Sequence, residues 1–112
     1  HKTALGAEDS VKWAYYSNTI DVVEKLKMEG YTIVSVEQVE QSIKLDEFKA
    51  DSSKHYALIL GNEVKGVQQE VVDISDISLE IPQYGTKHSL NVSVSAGIVL
   101  WEFAKQLKNM LD

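Results

Sequence analysis

Tyr56-Ala57-Leu58-Ile59-Leu60-Gly61-Asn62-Glu63 is the stretch that decides the fold. Its first five residues are apolar without interruption, and the run stops on a glycine followed by two polar residues. A short unbroken apolar run ended by a turn signal reads as a strand buried on both faces of a parallel sheet, where helices cover both sides. Outward from it, Tyr31 to Val36 and Ile77 to Ile81 read as further strands, and Val11 to Tyr16 alternates as a strand or extended segment. Between Val11–Tyr16 and Tyr31–Val36, Asn18 is placed to cap a helix running to about Glu29. Asp21 lies in its first turn, Ile20, Val22, Val23 and Leu26 form an apolar side, and Gly30 stops it. Residues 37–54 are polar and weakly patterned, which predicts loop with a short helical turn. Residues Val67 to Asp73 predict a short helix with Val67, Val71 and Val72 on one side. Strands alternating with helices predict an α/β domain with a parallel sheet and flanking helices.

The last element is the longest. From Val92 to about Met110 the pattern is helical, interrupted only by Gly97. Val92, Ala96, Val99, Phe103 and Met110 make one apolar stripe, and Val94, Ile98 and Trp101 make a second nearly opposite. A helix apolar on two sides is expected to be covered on two sides, by more of its own domain or by another subunit.

Composition narrows the function. With 112 residues, 44% apolar and 25% charged, the chain reads as one globular domain. No apolar run approaches the roughly 18 residues of a membrane helix, and no secretory signal is visible. There is no Cys, which removes disulfide and thiolate chemistry and fits a cytoplasmic protein. His1, His55 and His88 lack metal-ligand spacing, so no metal is expected. The net charge of −6 has the wrong sign for holding nucleic acid by bulk electrostatics. All 11 basic residues are Lys, so a mechanism needing the bidentate guanidinium of Arg must obtain it elsewhere.

Three segments carry chemistry. Gly61 to Gly66 follows the buried strand and would emerge at the carboxyl edge of the sheet, where open α/β sheets bind ligands. Gly61 permits close approach to the backbone, and Asn62 and Glu63 add polar groups; a plain strand-to-helix turn is the simpler reading. Ile81-Pro82-Gln83-Tyr84-Gly85 follows another strand, and its main-chain groups could hydrogen-bond the edge of an adenine, with a rigid turn as the simpler reading. Ser89 or Asn91 would cap the long helix. Capping does not account for Ser89, Asn91, Ser93 and Ser95 together on an apolar stretch, and buried hydroxyls and amides need partners.

These residues resemble the SpoU/TrmH-type RNA 2′-O-ribose methyltransferases of the SPOUT superfamily. Leu58-Ile59-Leu60-Gly61-Asn62-Glu63 is similar to that family's second motif. Ile81-Pro82 and Ser89-Leu90-Asn91-Val92-Ser93-Val94-Ser95-Ala96-Gly97-Ile98 are similar to its third. The resemblance runs over essentially the whole chain. It implies a carboxyl-terminal trefoil knot in which residues 81–91 thread a loop containing 60–66. It implies S-adenosyl-L-methionine as cofactor, held by Leu60, Gly61, Asn62, Ile81, Pro82, Tyr84, Ser89 and Leu90. It also implies a homodimer, a tRNA or rRNA substrate, and catalytic or site-ordering roles for Asn91, Ser89 and Glu63.

Two departures stand out. Val64 occupies a place where the family often has Gly. The family's first motif, with an Asn and an Arg thought to activate the ribose hydroxyl, is missing. The chain also begins with His. Residues 1–112 are therefore expected to be the carboxyl-terminal portion of a SpoU-type catalytic domain, inactive in isolation. A non-catalytic cofactor-binding or dimerisation module of the same descent is the alternative. A hydrolase or dehydrogenase of another α/β family is disfavoured, because the chain has neither a Gly-x-Gly-x-x-Gly nor a Gly-Lys-Ser/Thr loop.

Overall fold

The structure, a computed structural model, describes residues 2–6, 11–15, 20–61, 66–82 and 92–111. The elements are β1 (Lys2–Gly6), β2 (Val11–Tyr15), α1 (Ile20–Met28), β3 (Thr32–Val36), β4 (Ile43–Lys44), a 3-10 turn (Leu45–Glu47), β5 (Tyr56–Leu60), α2 (Gln69–Ile74), β6 (Ile77–Glu80) and α3 (Val92–Leu111). The strands form one six-stranded sheet in the order β1-β2-β5-β3-β6-β4. As its unbroken apolar run predicts, β5 lies inside the sheet, parallel to both β2 and β3, with all five residues buried.

One pairing departs from the expected parallel sheet. β1, which has no clear signature in the sequence, pairs antiparallel with β2, setting Lys2 opposite Tyr15 and Gly6 opposite Val11. Only residues 7–10 separate these strands. Such a connection permits a hairpin, whereas a parallel return needs a crossover of a dozen residues or more. The polar region 37–54 also contains β4, a two-residue edge strand parallel to β6.

Alternation along the strands sends side chains to two layers. On one side, Ile33, Ala57 and Ile59 pack with Val23, Val67 and Val71, beneath α1 and α2. On the other, Val34, Tyr56, Leu58, Leu60 and Leu79 pack with Ala96, Val99, Phe103 and Leu107 of α3 and with Leu45, Phe48 and Ala50. Phe48, Tyr56 and Phe103 meet there, with ring centroids 5.0–6.1 Å apart. Gln106 fastens α3 to the 48–50 segment: its Oε1 accepts the Ala50 amide at 2.6 Å and its Nε2 donates to the Phe48 carbonyl at 2.9 Å.

Gly30 ends α1 as expected. Its φ of 96° lies in the left-handed region. The Tyr31 amide returns to the Leu26 carbonyl and the Gly30 amide to that of Lys27, both at 3.0 Å, which is a Schellman cap. The first stripe of α3 is buried at Ala96, Val99 and Phe103, with Leu107 continuing it. The second stripe is exposed among the described residues: Val94, Ile98 and Trp101 are 49%, 37% and 68% exposed. The expected caps Asn18, Ser89 and Asn91 lie outside the described residues.

Candidate functional site

Because β2, β5, β3 and β6 are mutually parallel along the sheet, their carboxyl ends share one edge. Register places Val36 level with Leu60 on one side and with Leu79 on the other. The residues that continue these strands, Gly61, Glu37 and Ile81-Pro82, therefore emerge side by side, with Glu37 in the middle. Leu60 is buried, while Gly61, Glu37, Ile81 and Pro82 are half-buried.

The chain is drawn tight at this edge. Gly61 lies directly against the peptide between Gly66 and Val67, and a Cβ at Gly61 would overlap the Gly66 carbonyl and the Val67 amide. Those are backbone atoms, so a side chain could be admitted only by moving the loop. Gly66 has a φ of 70°, and a Cβ there would run into the Glu37 carboxylate. That carboxylate accepts the Val67 amide at 2.9 Å through Oε2 and the Gln38 amide at 3.1 Å through Oε1. The Glu37 amide donates to the Leu79 carbonyl at 2.9 Å. Glu37 thus touches Val67, in the connection that follows β5, and Leu79 of β6, the strand that leads to Ile81.

Of the residues singled out in the sequence, Leu60, Gly61, Ile81 and Pro82 come together at this edge. Asn62, Glu63, Tyr84, Ser89, Leu90 and Asn91 lie outside the described residues. Glu37 was not singled out. Its sequence signal is position alone, as the first charged residue after an apolar strand, and it stands in a polar stretch that reads as loop. Among the described residues, no three His, Cys, Asp or Glu side chains converge in a way that could hold a metal ion, and no helix is long and apolar enough to cross a membrane.

Carboxyls with displaced titration sit elsewhere. Hydrogen bonds from the Ser53 hydroxyl and amide hold Asp51 below its ordinary range in the turn leading into β5. The Gln106 side chain, then Lys105, holds Glu102 below its ordinary range on α3.

An α/β domain with backbone-rich loops gathered at the carboxyl edge is a common architecture, so the comparisons with known proteins decide the family. The sequence profile of the SpoU rRNA Methylase family matches residues 1–101. The chain belongs to the SpoU rRNA methylase family. A tRNA (guanosine(18)-2'-O)-methyltransferase of Aquifex aeolicus is 38% identical over 102 residues, 88% of this chain and 47% of that protein. Among solved structures, the Aquifex aeolicus TrmH/SpoU tRNA modifying enzyme superposes with a TM-score of 0.73 at 36% identity, covering 85% of this chain and 47% of that one. An AdoMet-bound rRNA methyltransferase from Sinorhizobium meliloti gives 0.69 at 30% identity, covering 80% and 34%. The parallel-sheet α/β fold of this SpoU chain is that of the SpoU/TrmH structures. The chain spans about half the length, or less, of the relatives it matches.

Proposed function

We propose that this SpoU chain forms the cofactor-binding, carboxyl-terminal portion of the catalytic domain of an S-adenosyl-L-methionine-dependent RNA 2′-O-ribose methyltransferase acting on tRNA or rRNA. The observation that carries the reading is the meeting of Leu60-Gly61 and Ile81-Pro82 at one sheet edge, separated by a single strand. The family membership and the relatives' names, a tRNA guanosine 2'-O-methyltransferase and an AdoMet-bound rRNA methyltransferase, support it.

The edge suits an adenosyl group by its chemistry. A purine needs apolar contact on its faces and a few fixed donors and acceptors at its rim. Leu60 and Ile81 supply apolar bulk, Gly61 leaves its peptide unshielded by a side chain, and the main chain at 60–61 and 81–82 supplies the amide and carbonyl groups. S-adenosylmethionine supplies, when bound, an electrophilic methyl group on a sulfonium. The protein's work is then to exclude water, hold a ribose hydroxyl in line with that methyl, and take the hydroxyl's proton or stabilise the negative charge that develops on its oxygen. Asn91 and Ser89 are proposed to order the reacting groups and Glu63 to position substrate, with Asn62, Tyr84 and Leu90 completing the cofactor contacts. No Arg exists in the 112 residues, so a guanidinium that activates the hydroxyl has to come from another part of the protein or from a partner. RNA affinity has the same origin, since this chain's net charge is −6.

The trefoil knot, in which residues 81–91 thread a loop containing 60–66, belongs to the same proposal. So does a cytoplasmic homodimer: the exposed apolar stripe Val94, Ile98 and Trp101 is the surface a second copy would cover. The missing Arg favours a second reading for the 112 residues alone, that of a module that binds cofactor and dimerises without transferring methyl. The test is methyl transfer by the intact protein from labelled S-adenosylmethionine to bulk tRNA and rRNA, followed by alkaline hydrolysis. Label in alkali-resistant dinucleotides is the expected result, because a 2′-O-methyl blocks cleavage. Cofactor binding with no transfer to either RNA would favour the second reading.

A further inference from the structure

We propose that Glu37 is a positioning residue of the cofactor site, setting the spacing and shape of the two segments that read the adenosyl group. The inference rests on the functional reading above and deepens it. Neither family motif noted in the sequence includes Glu37, and its role follows from where it stands. In the sheet, β3 lies between β5 and β6, so the ends carrying Gly61 and Ile81 are two strand spacings apart, about 10 Å. Glu37 fills the gap between them. Its main chain is fixed to Leu79 on one side at 2.9 Å. Its carboxylate reaches to the other side, to the Val67 amide at 2.9 Å. Val67 and Gly66 form the surface against which Gly61 is pressed. A pull on Val67 is therefore passed by backbone contact to Gly61, with no soft side chain between.

The geometry also accounts for the glycine at position 66. A side chain there would push the Glu37 carboxylate away from Val67, besides straining a backbone at φ 70°. A charge-assisted bond to a main-chain amide is among the stronger hydrogen bonds available. Here it holds a main-chain surface that, on this reading, lies directly behind the ligand. Glu37 itself touches neither cofactor nor substrate in this account; it acts through Val67 and Gly61.

The experiment is calorimetric titration of the intact protein with S-adenosylhomocysteine, in wild type and in Glu37→Ala, Glu37→Asp and Glu37→Gln, with thermal melting of each. Asp keeps the charge but falls one methylene short of Val67, and Gln keeps the reach with a neutral acceptor. Reach is the property the proposal needs. Glu37→Ala and Glu37→Asp should each weaken binding by about ten-fold, the loss of one good hydrogen bond, while Glu37→Gln, which keeps the reach with a weaker acceptor, recovers part of it. The Val67 amide should exchange faster with solvent in Glu37→Ala and Glu37→Asp. If Glu37→Ala does not fold, the Asp and Gln pair decides alone. Folded Asp and Ala variants that bind like wild type, or a lowered melting temperature with unchanged affinity, overturn the role of Glu37 and leave the cofactor reading standing. Absence of binding by wild type overturns both.

Discussion

The interior of the sheet and its carboxyl edge are built from opposite materials. Along β5 from Tyr56 to Leu60, every residue is a buried apolar side chain locked between helices of both layers. One residue further on, the side chain is gone: Gly61 lies bare against the Gly66–Val67 peptide, and a carboxylate, Glu37, holds that peptide in place. The interior gains stability by area removed from water, roughly 1.5–3 kcal/mol for each large side chain. The edge gives up that gain and fixes main-chain shape instead. A site that reads a ligand through backbone groups needs shape that does not yield, and the adjacent apolar layers supply the stability to hold it.

The largest break in this comparison is expected from the interior. Phe103→Ala empties the centre of the Phe48–Tyr56–Phe103 cluster and should cost about 3–5 kcal/mol in chemical denaturation. Whatever fraction remains folded should keep its affinity for S-adenosylhomocysteine, since Phe103 belongs to α3 and the layer beneath it. Loss of affinity in proportion greater than loss of folded protein would mean that interior and edge are not separable.

A smaller effect is expected at Gln106, which ties α3 to residues 48 and 50. Gln106→Ala should cost about 1–3 kcal/mol, because it strands the half-buried Ala50 amide and Phe48 carbonyl. It also removes the leading cause of the lowered Glu102 pKa. A carboxyl whose pKa is lower folded than unfolded stabilises the fold above its unfolded value, and that contribution is lost as pH falls through the folded one. Wild type should therefore lose a small increment of stability as pH drops below the ordinary Glu value of 4.5. In Gln106→Ala, the part of that slope due to Glu102 should shrink, as read from denaturation midpoints between pH 6 and pH 3.

The smallest stability effect is expected on the outer stripe of α3, which belongs to neither region. Trp101 is 68% exposed in the chain, so Trp101→Asp should change monomer stability by no more than about 0.5 kcal/mol. On the dimer proposal it should nevertheless lower the sedimenting mass toward that of a monomer. An unchanged mass at every concentration would remove this face from the proposed interface.

Interior and edge also differ in how far the sequence reveals them. The apolar run at 56–60, the glycine stop at 30 and the inner stripe of α3 announce themselves, because burial and helix termination depend on residue type at fixed spacing. β1 does not, since an antiparallel edge strand of five residues carries little periodic signal, and a short connection decides its direction. The site was half legible. Leu60, Gly61, Ile81 and Pro82 could be placed at one edge because each pair falls at the end of a strand of a parallel sheet, and from the family resemblance. Glu37 could not, because what sets it apart is a hydrogen bond to a residue 30 positions away. A long-range contact of this kind leaves no local pattern, and a Glu in a polar stretch resembles any solvated carboxylate.

The most direct measurement follows backbone amides of the labelled chain by NMR during titration with S-adenosylhomocysteine. The account predicts saturable shifts concentrated at Leu60, Gly61, Glu37, Val67 and Ile81 on the carboxyl edge, with amides at the opposite ends of the same strands, such as Thr32 and Ala57, left in place. Saturable shifts gathered at those opposite ends, or no shifts from a folded chain at millimolar ligand, would contradict it.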